Sequence, residues 1–157
     1  MKNYQTLVDE ALKHVPEIMP WDLHERIEQP EPPMLLDIRE PEEYTAMHIP
    51  GSVHVPRGIL EAAADWGFDE TEPRLAGARD QEIVVICRSG RRSALAARTL
   101  QELGFARVQS LKLGVRGWND DDGPLEDADG NTVDPEAADE YLRVKVRPDQ
   151  MGPADEA

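Results

Sequence analysis

Apolar positions recur along the chain with two different periods. Between residues 3 and 14, Tyr4, Leu7, Val8, Ala11 and Leu12 fall on one helical face, and the pattern stops before Pro16. Residues 21–28 predict a second helix, opened by Pro20, with Leu23 and Ile27 on one face. Residues 34–39 and 83–86 are short, nearly continuous apolar runs, the pattern of strands covered on both faces. Residues 17–19, 52–56 and 107–113 predict three more strands. Further helices are predicted from Pro41 through Tyr44, over 58–65, from Ala94 to a stop at Gly104, and briefly after Gly114. Residues 66–80 read as a polar connection, and the chain from Gly123 onward, rich in Asp, Glu, Gly and Pro, reads as loosely ordered. Within that tail, residues 141–148 alternate apolar and basic side chains, a strand period. There is no internal repeat. Strands alternating with helices at this spacing imply an α/β fold with a mostly parallel sheet and helices on both faces. In such sheets, sites lie beyond the carboxyl ends of strands.

Size and charge narrow the classes. A chain of 157 residues is long enough for one domain with a real core. The pattern divides it into a helical extension (1–16), the α/β domain (17–122) and an acidic tail (123–157). No stretch approaches the roughly 20 apolar residues that span a bilayer, and the first ten residues lack the apolar core of a secretory signal, so no membrane association is expected. The single cysteine cannot close an internal disulfide, which fits a reducing, cytoplasmic setting. Net charge is −15, from 32 acids against 17 bases, which excludes nucleic acid as an expected partner. The acids concentrate late: from Asp120 onward there are 13, against 3 bases.

The candidate chemistry sits at 83–93. Four apolar residues lead into Cys87, then Arg88, Ser89, Gly90, Arg91, Arg92 and Ser93, then a helical pattern. A buried strand feeding a tight loop that opens a helix aims successive backbone N–H groups into the loop, with the positive helix end behind them. Such a ring stabilises an anion, and a thiol at its mouth is favoured as the thiolate nucleophile. The competing reading is an inert cysteine at a strand end. Three guanidinium groups within five positions argue against it, because arginine is rarely buried unpaired. Arg39 also falls at a predicted carboxyl end of a strand and could share the site. The four histidines have no zinc-ligand spacing, and no metal or organic cofactor is expected.

Three stretches resemble the rhodanese-like sulfurtransferase family: 35–44 followed by 48–52, the loop 87–93, and 113–118. Met47 stands where the family usually has glycine, and Val115 and Arg116 separate the paired glycines before Trp118. The resemblance implies a doubly wound, mostly parallel, five-stranded sheet. It also implies that Cys87 carries sulfur as a persulfide, that Arg39, Arg88 and Arg92 meet oxyanion oxygens, and that the amides of Ser89, Gly90, Arg91, Arg92 and Ser93 form the cradle. Asp37 and His48 are expected to hold the scaffold. The implied partners are a small anionic sulfur donor such as thiosulfate and a thiol, cyanide or protein acceptor. A related cysteine phosphatase would place arginine six positions after the cysteine, where this chain has Ser93. A further alternative is a non-turnover relay or regulatory module that hands persulfide to a partner protein. All of these readings require the loop amides to turn inward and the sulfur to be reachable from solvent.

Overall fold

The computed structural model describes residues 1–153; the last four residues of the expected acidic tail, 154–157, lie outside the described residues. In chain order the elements are α1 (Tyr4–Leu12), β1 (Glu17–Ile18), α2 (Pro20–Ile27), β2 (Met34–Asp37), α3 (Pro41–Ala46), β3 (Val53–His54), α4 (Leu60–Ala63), α5 (Pro73–Ala76), β4 (Ile83–Ile86), α6 (Arg91–Glu102), β5 (Val108–Leu111), α7 (Gly114–Asp120) and α8 (Pro135–Leu142). The five strands form one sheet in the order β1-β5-β4-β2-β3, and every pairing is parallel.

Alternation within the central strands builds two cores. Ile83, Val85 and Cys87 face one side with Leu36, Ile38 and the α6 residues Ala96, Ala97 and Leu100. Val84, Ile86 and Leu35 face the other side with Leu23 of α2, Val115 and Trp118 of α7, and Ala138 and Leu142 of α8. The apolar runs of β2 and β4 therefore read as continuous because both faces are covered. The chain runs outward from β2 to β3, then crosses back to β4 and outward the other way to β5. The carboxyl ends of β2 and β4 thus lie at a topological switch point, the place where such sheets bind ligands.

Local signals account for most boundaries. Asn3 caps α1, its side-chain oxygen accepting from the Thr6 amide at 2.8 Å. Proline occupies the first turn of α2, α3, α5 and α8. Gly104, with φ of +93°, follows the end of α6.

The structure departs from the sequence expectations in three segments. The 66–80 connection contains α5, because Leu75, Ala76 and Ala78 are buried in the core. The tail is ordered onto the body as far as Leu142. Leu125, Ala138 and Leu142 enter the second core, His48 and Glu126 exchange backbone hydrogen bonds of 2.9 and 3.0 Å, and Asp134 caps α8. Acid-rich composition hid this, because a few well-spaced apolar residues suffice to dock a helix. The third departure is the alternating segment 141–148, which is not a strand. Tyr141 and Leu142 end α8, and Val144 and Val146 are exposed. Its cations serve nearby acids instead: Arg143 pairs with Asp139 and Glu140, Lys145 with Glu140, and Arg147 with Asp149.

Candidate active site

Cys87 follows the last residue of β4, and the loop from Arg88 to Gly90 turns directly into α6. The helix starts at Arg91, three residues earlier than the apolar pattern suggests, so Arg91, Arg92 and Ser93 form its first turn. Gly90 makes the turn possible with φ of +98°. The amides of Gly90 and Ser93 point at Cys87 Sγ, at 3.1 and 3.3 Å. Ser93 Oγ lies 3.3 Å from the sulfur and 2.7 Å from Ser110 Oγ, so a chain of hydroxyls runs from the thiol into β5. The amides of Ser89, Arg91 and Arg92 have no backbone acceptor among the described residues. Two of the five expected cradle amides therefore point at the sulfur, and the other three have no backbone acceptor among the described residues.

The loop is held from behind by α7. The amides of Val115 and Arg116 donate to the carbonyls of Cys87 and Arg88 at 2.9 and 3.0 Å. These two bonds fix the backbone at the start of the loop against the start of α7. A β-carbon at Gly114 would meet the Cys87 and Arg88 carbonyl oxygens at 2.4 Å, so only glycine permits this approach.

The arginines divide into two groups. Arg39 is fully buried; its guanidinium donates to Asp37 at 2.8–3.1 Å and to the Met47 carbonyl at 2.6 Å. These bonds tie the end of β2 to the segment after α3, while Arg39 Nη1 is buried without a partner. Arg92 likewise spends its fork on Glu43, at 2.8 and 3.0 Å. That bond raises the Arg92 pKa; burial pushes Glu43 up, but the Arg92 hydrogen bond and charge outweigh it and hold the carboxyl below its ordinary range. Arg88 and Arg91 form no ion pair among the described residues, and Arg88 Nε is buried without a partner. Arg91 Nε donates to Gln5 of α1 at 3.1 Å.

Gln5 belongs to α1, the helical extension. Through Val8 and Ala11, α1 packs on Ala94 of α6. The Tyr4 phenol is raised from its usual pKa by burial and then by the charge of Cys87, against the lowering effect of Arg92, Arg91 and Arg88, so it lies within their field. Nothing in the periodicity of α1 signals this. Ser110 lies beside Gln109 in the alternating strand β5, and its hydroxyl partner Ser93 comes from α6. The scaffold below is a stack: Tyr44 lies between His48 and His54, with ring centroids 3.9 and 4.4 Å away, and His48 Nε2 sits 3.2 Å from Glu126 Oε1.

The expectation that the sulfur is reachable from solvent is not met in this structure: Cys87 is 1% exposed. Among the described residues no group of His, Cys, Asp and Glu is arranged to hold a metal ion, and no helix is long and apolar enough to cross a membrane.

A parallel α/β sheet with a cysteine seated among helix-start amides at the switch point defines the class of fold. Within that class, the profile of the family described as Rhodanese-like domain matches residues 19–121, and the chain belongs to this family. Among curated proteins, it is 38% identical over 109 residues to YrkF of Bacillus subtilis, named as a candidate sulfur carrier protein; the match covers 69% of this chain and 54% of YrkF. The chain therefore spans about half the length of that relative. It is 34% identical over 110 residues to YtwF of the same organism, named as a candidate sulfurtransferase, covering 70% of this chain and 96% of YtwF. Among solved structures, a Rhodopseudomonas palustris protein described as being of unknown function and a possible tyrosine phosphatase superposes with a TM-score of 0.71. That match has 32% identity and covers 80% of this chain and 96% of the other.

Proposed function

We propose that this protein is a sulfurtransferase working through a persulfide on Cys87, loaded by thiosulfate or another donor of sulfane sulfur. The observation that carries the reading is the pair of amides, Gly90 and Ser93, aimed at Sγ from the start of α6. Names borne by YtwF and YrkF support the same chemistry. The Cys87 thiolate attacks the outer sulfur of the donor, the sulfur–sulfur bond breaks, and sulfite departs with the electron pair. The persulfide left behind is itself an anion, held by the same amides. Arg88 and Arg91, uncommitted to carboxylates, are placed to offset the donor's charge. An acceptor thiolate or cyanide then removes the outer sulfur.

The phosphatase alternative fits this loop poorly. The sixth position after the cysteine is Ser93, whose amide and hydroxyl face the sulfur, and the neighbouring Arg92 is held by Glu43. The relay alternative has YrkF in its favour, a relative named for carrying sulfur. We place the small donor at the cradle, a thiol, cyanide or protein acceptor after it, and the reaction in the cytoplasm.

Mass spectrometry after thiosulfate treatment tests the reading. One added sulfur on the wild type and none on Cys87→Ser is the expected result; the same gain on both, or none on the wild type, overturns it. The enclosure of Cys87 makes this a stringent test, since the loop must admit a dianion. A stable adduct with poor turnover to cyanide would favour the relay over the enzyme.

A further inference from the structure

Among the described residues, twelve of the 17 basic side chains form ion pairs with carboxylates, and the other five are Lys13, Arg88, Arg91, Lys112 and Arg116. Arg91, the first residue of α6, is held by a neutral acceptor instead. Its Nε donates to Gln5 Oε1 at 3.1 Å, and the Gln5 amide is oriented by its own donation to Asp9 at 2.9 Å. That bond fixes the first turn of α1 beside the first turn of α6. At the other end, Gln101 in the last turn of α6 donates to the His14 carbonyl, just past α1, at 2.9 Å. Between the two ends Val8 and Ala11 pack on Ala94. The two helices therefore run parallel, start beside start.

Tyr4 opens α1 and stands at positions i, i+4 and i+7 with Val8 and Ala11, on the face that α1 turns to α6. It therefore lies level with the turn made by Arg91, Arg92 and Ser93. The side-chain hydrogen bonds of its own turn involve Asn3, Gln5 and Thr6; Tyr4 Oη forms none among the described residues. Cys87 and the three loop arginines all act on this phenol: burial and then the Cys87 charge raise its pKa, against Arg92, Arg91 and Arg88. A phenol with an unused donor thus stands at the start of α6, close enough to feel the charge on the sulfur. It comes from a helix outside residues 19–121, the part that the family profile matches, so it is a feature this chain adds to the common fold.

We propose that Tyr4 is a specificity-determining residue for the sulfur donor, its phenol O–H donating to an oxygen of an oxyanion such as thiosulfate. The proposal rests on the persulfide reading for its chemistry. A thiosulfate whose outer sulfur meets Cys87 Sγ carries its oxygens on the far side. Amides at the start of α6 approach those oxygens from one side, and α1 supplies a donor from another. Tyr4 keeps its proton throughout. When Sγ bonds to the outer sulfur, the sulfur–sulfur bond of the donor breaks and sulfite takes the electron pair, while the O–H still donates to a sulfite oxygen. A contact made equally before and during the step strengthens binding and leaves the maximal rate unchanged.

The test uses the full chain and two readouts. Tyr4→Phe deletes only the hydroxyl of an exposed ring, so the fold is retained. Loading of Cys87, followed by mass spectrometry, is measured against thiosulfate concentration. The half-saturating concentration is expected to rise about tenfold in Tyr4→Phe, with the maximal rate within about twofold of wild type. Loading by inorganic polysulfide, which has no oxygens to accept the bond, is expected to be unchanged. An unaltered thiosulfate dependence overturns the proposal, and so does equal slowing with both donors, the mark of a packing role. Calorimetry of thiosulfate with Cys87→Ser, which cannot be loaded, reads the contact alone. Binding is expected there and is expected to weaken about tenfold when Tyr4→Phe is added. Equal affinities, or no binding to Cys87→Ser, overturn the proposal. If wild-type Cys87 takes up no sulfur, the persulfide reading fails, and the calorimetric arm still decides whether Tyr4 meets the anion.

Discussion

At the scale of single residues, the sulfur's surroundings make two predictions. Ser93 contacts Cys87 Sγ through both its amide and its hydroxyl, and the hydroxyl also meets Ser110. Ser93→Ala keeps the amide and deletes the hydroxyl, leaving Ser110 without its buried partner. Sulfur loading of Cys87, followed by stopped-time mass spectrometry, is expected to slow roughly fivefold to tenfold, the worth of one buried hydrogen bond. Gly114 has φ of +60° and no room for a β-carbon. Gly114→Ala combines backbone strain with a clash against the loop carbonyls. It is expected to cost about 3 kcal/mol or more in a urea melt, and to abolish loading even where the fold survives. The chemistry-bearing residue types were legible in sequence because Cys87, the loop glycine and the arginines lie within seven positions. Their division of labour was not. Whether an arginine is a strut or an anion contact depends on the acid beside it, and Glu43 and Arg92 are 49 positions apart.

Between elements, the Glu43–Arg92 pair joins α3 to the first turn of α6. Glu43 titrates below its ordinary range in the folded protein, so its contribution to stability is present above the unfolded-state value, near 4.3, and disappears as pH falls through the folded one. Glu43→Gln is expected to lower stability by about 1–2 kcal/mol at pH 7, and the gap from wild type should close below about pH 4 in urea titrations. A gap independent of pH would remove the charge from this account. The docking of α8 makes a packing prediction. Leu142 is buried in the second core, so Leu142→Ala is expected to cost about 2–4 kcal/mol, read by thermal or urea unfolding. Strands and helices of the central sheet were legible because each carries its own period and its own stop residue. The elements that escaped, α5 and α8, are short or acid-rich and are fixed by contacts distant in sequence: Leu75 meets the first core, and Asn119 donates to the Pro135 carbonyl at 3.1 Å. Alternation at 141–148 misled because helix-end cations and exposed valines imitate a strand when their neighbours are unknown.

Over the whole molecule, a charge of −15 sets acids against each other, a repulsion that disfavours the compact state. Added sodium chloride is expected to raise the thermal midpoint between low and physiological ionic strength, as screening relieves it. A midpoint that falls with salt would show that paired charges outweigh the repulsion. Against this background of acids, the unpaired cations beside the loop stand out as the positive ground of an otherwise negative surface. That placement belongs to the folded chain, since Arg91 opens α6 after β4 while Lys112 and Arg116 follow β5, and the β4–β5 pairing brings the two segments side by side.

With 1% of its surface exposed, Cys87 has a gatekeeping property of its own. Bulky alkylators such as maleimides should label it slowly in the native state and quickly in denaturant. The burial that slows such labelling would also shelter the thiol from stray oxidants between turnovers, and a single cysteine with no resolving partner in its chain has special need of such shelter.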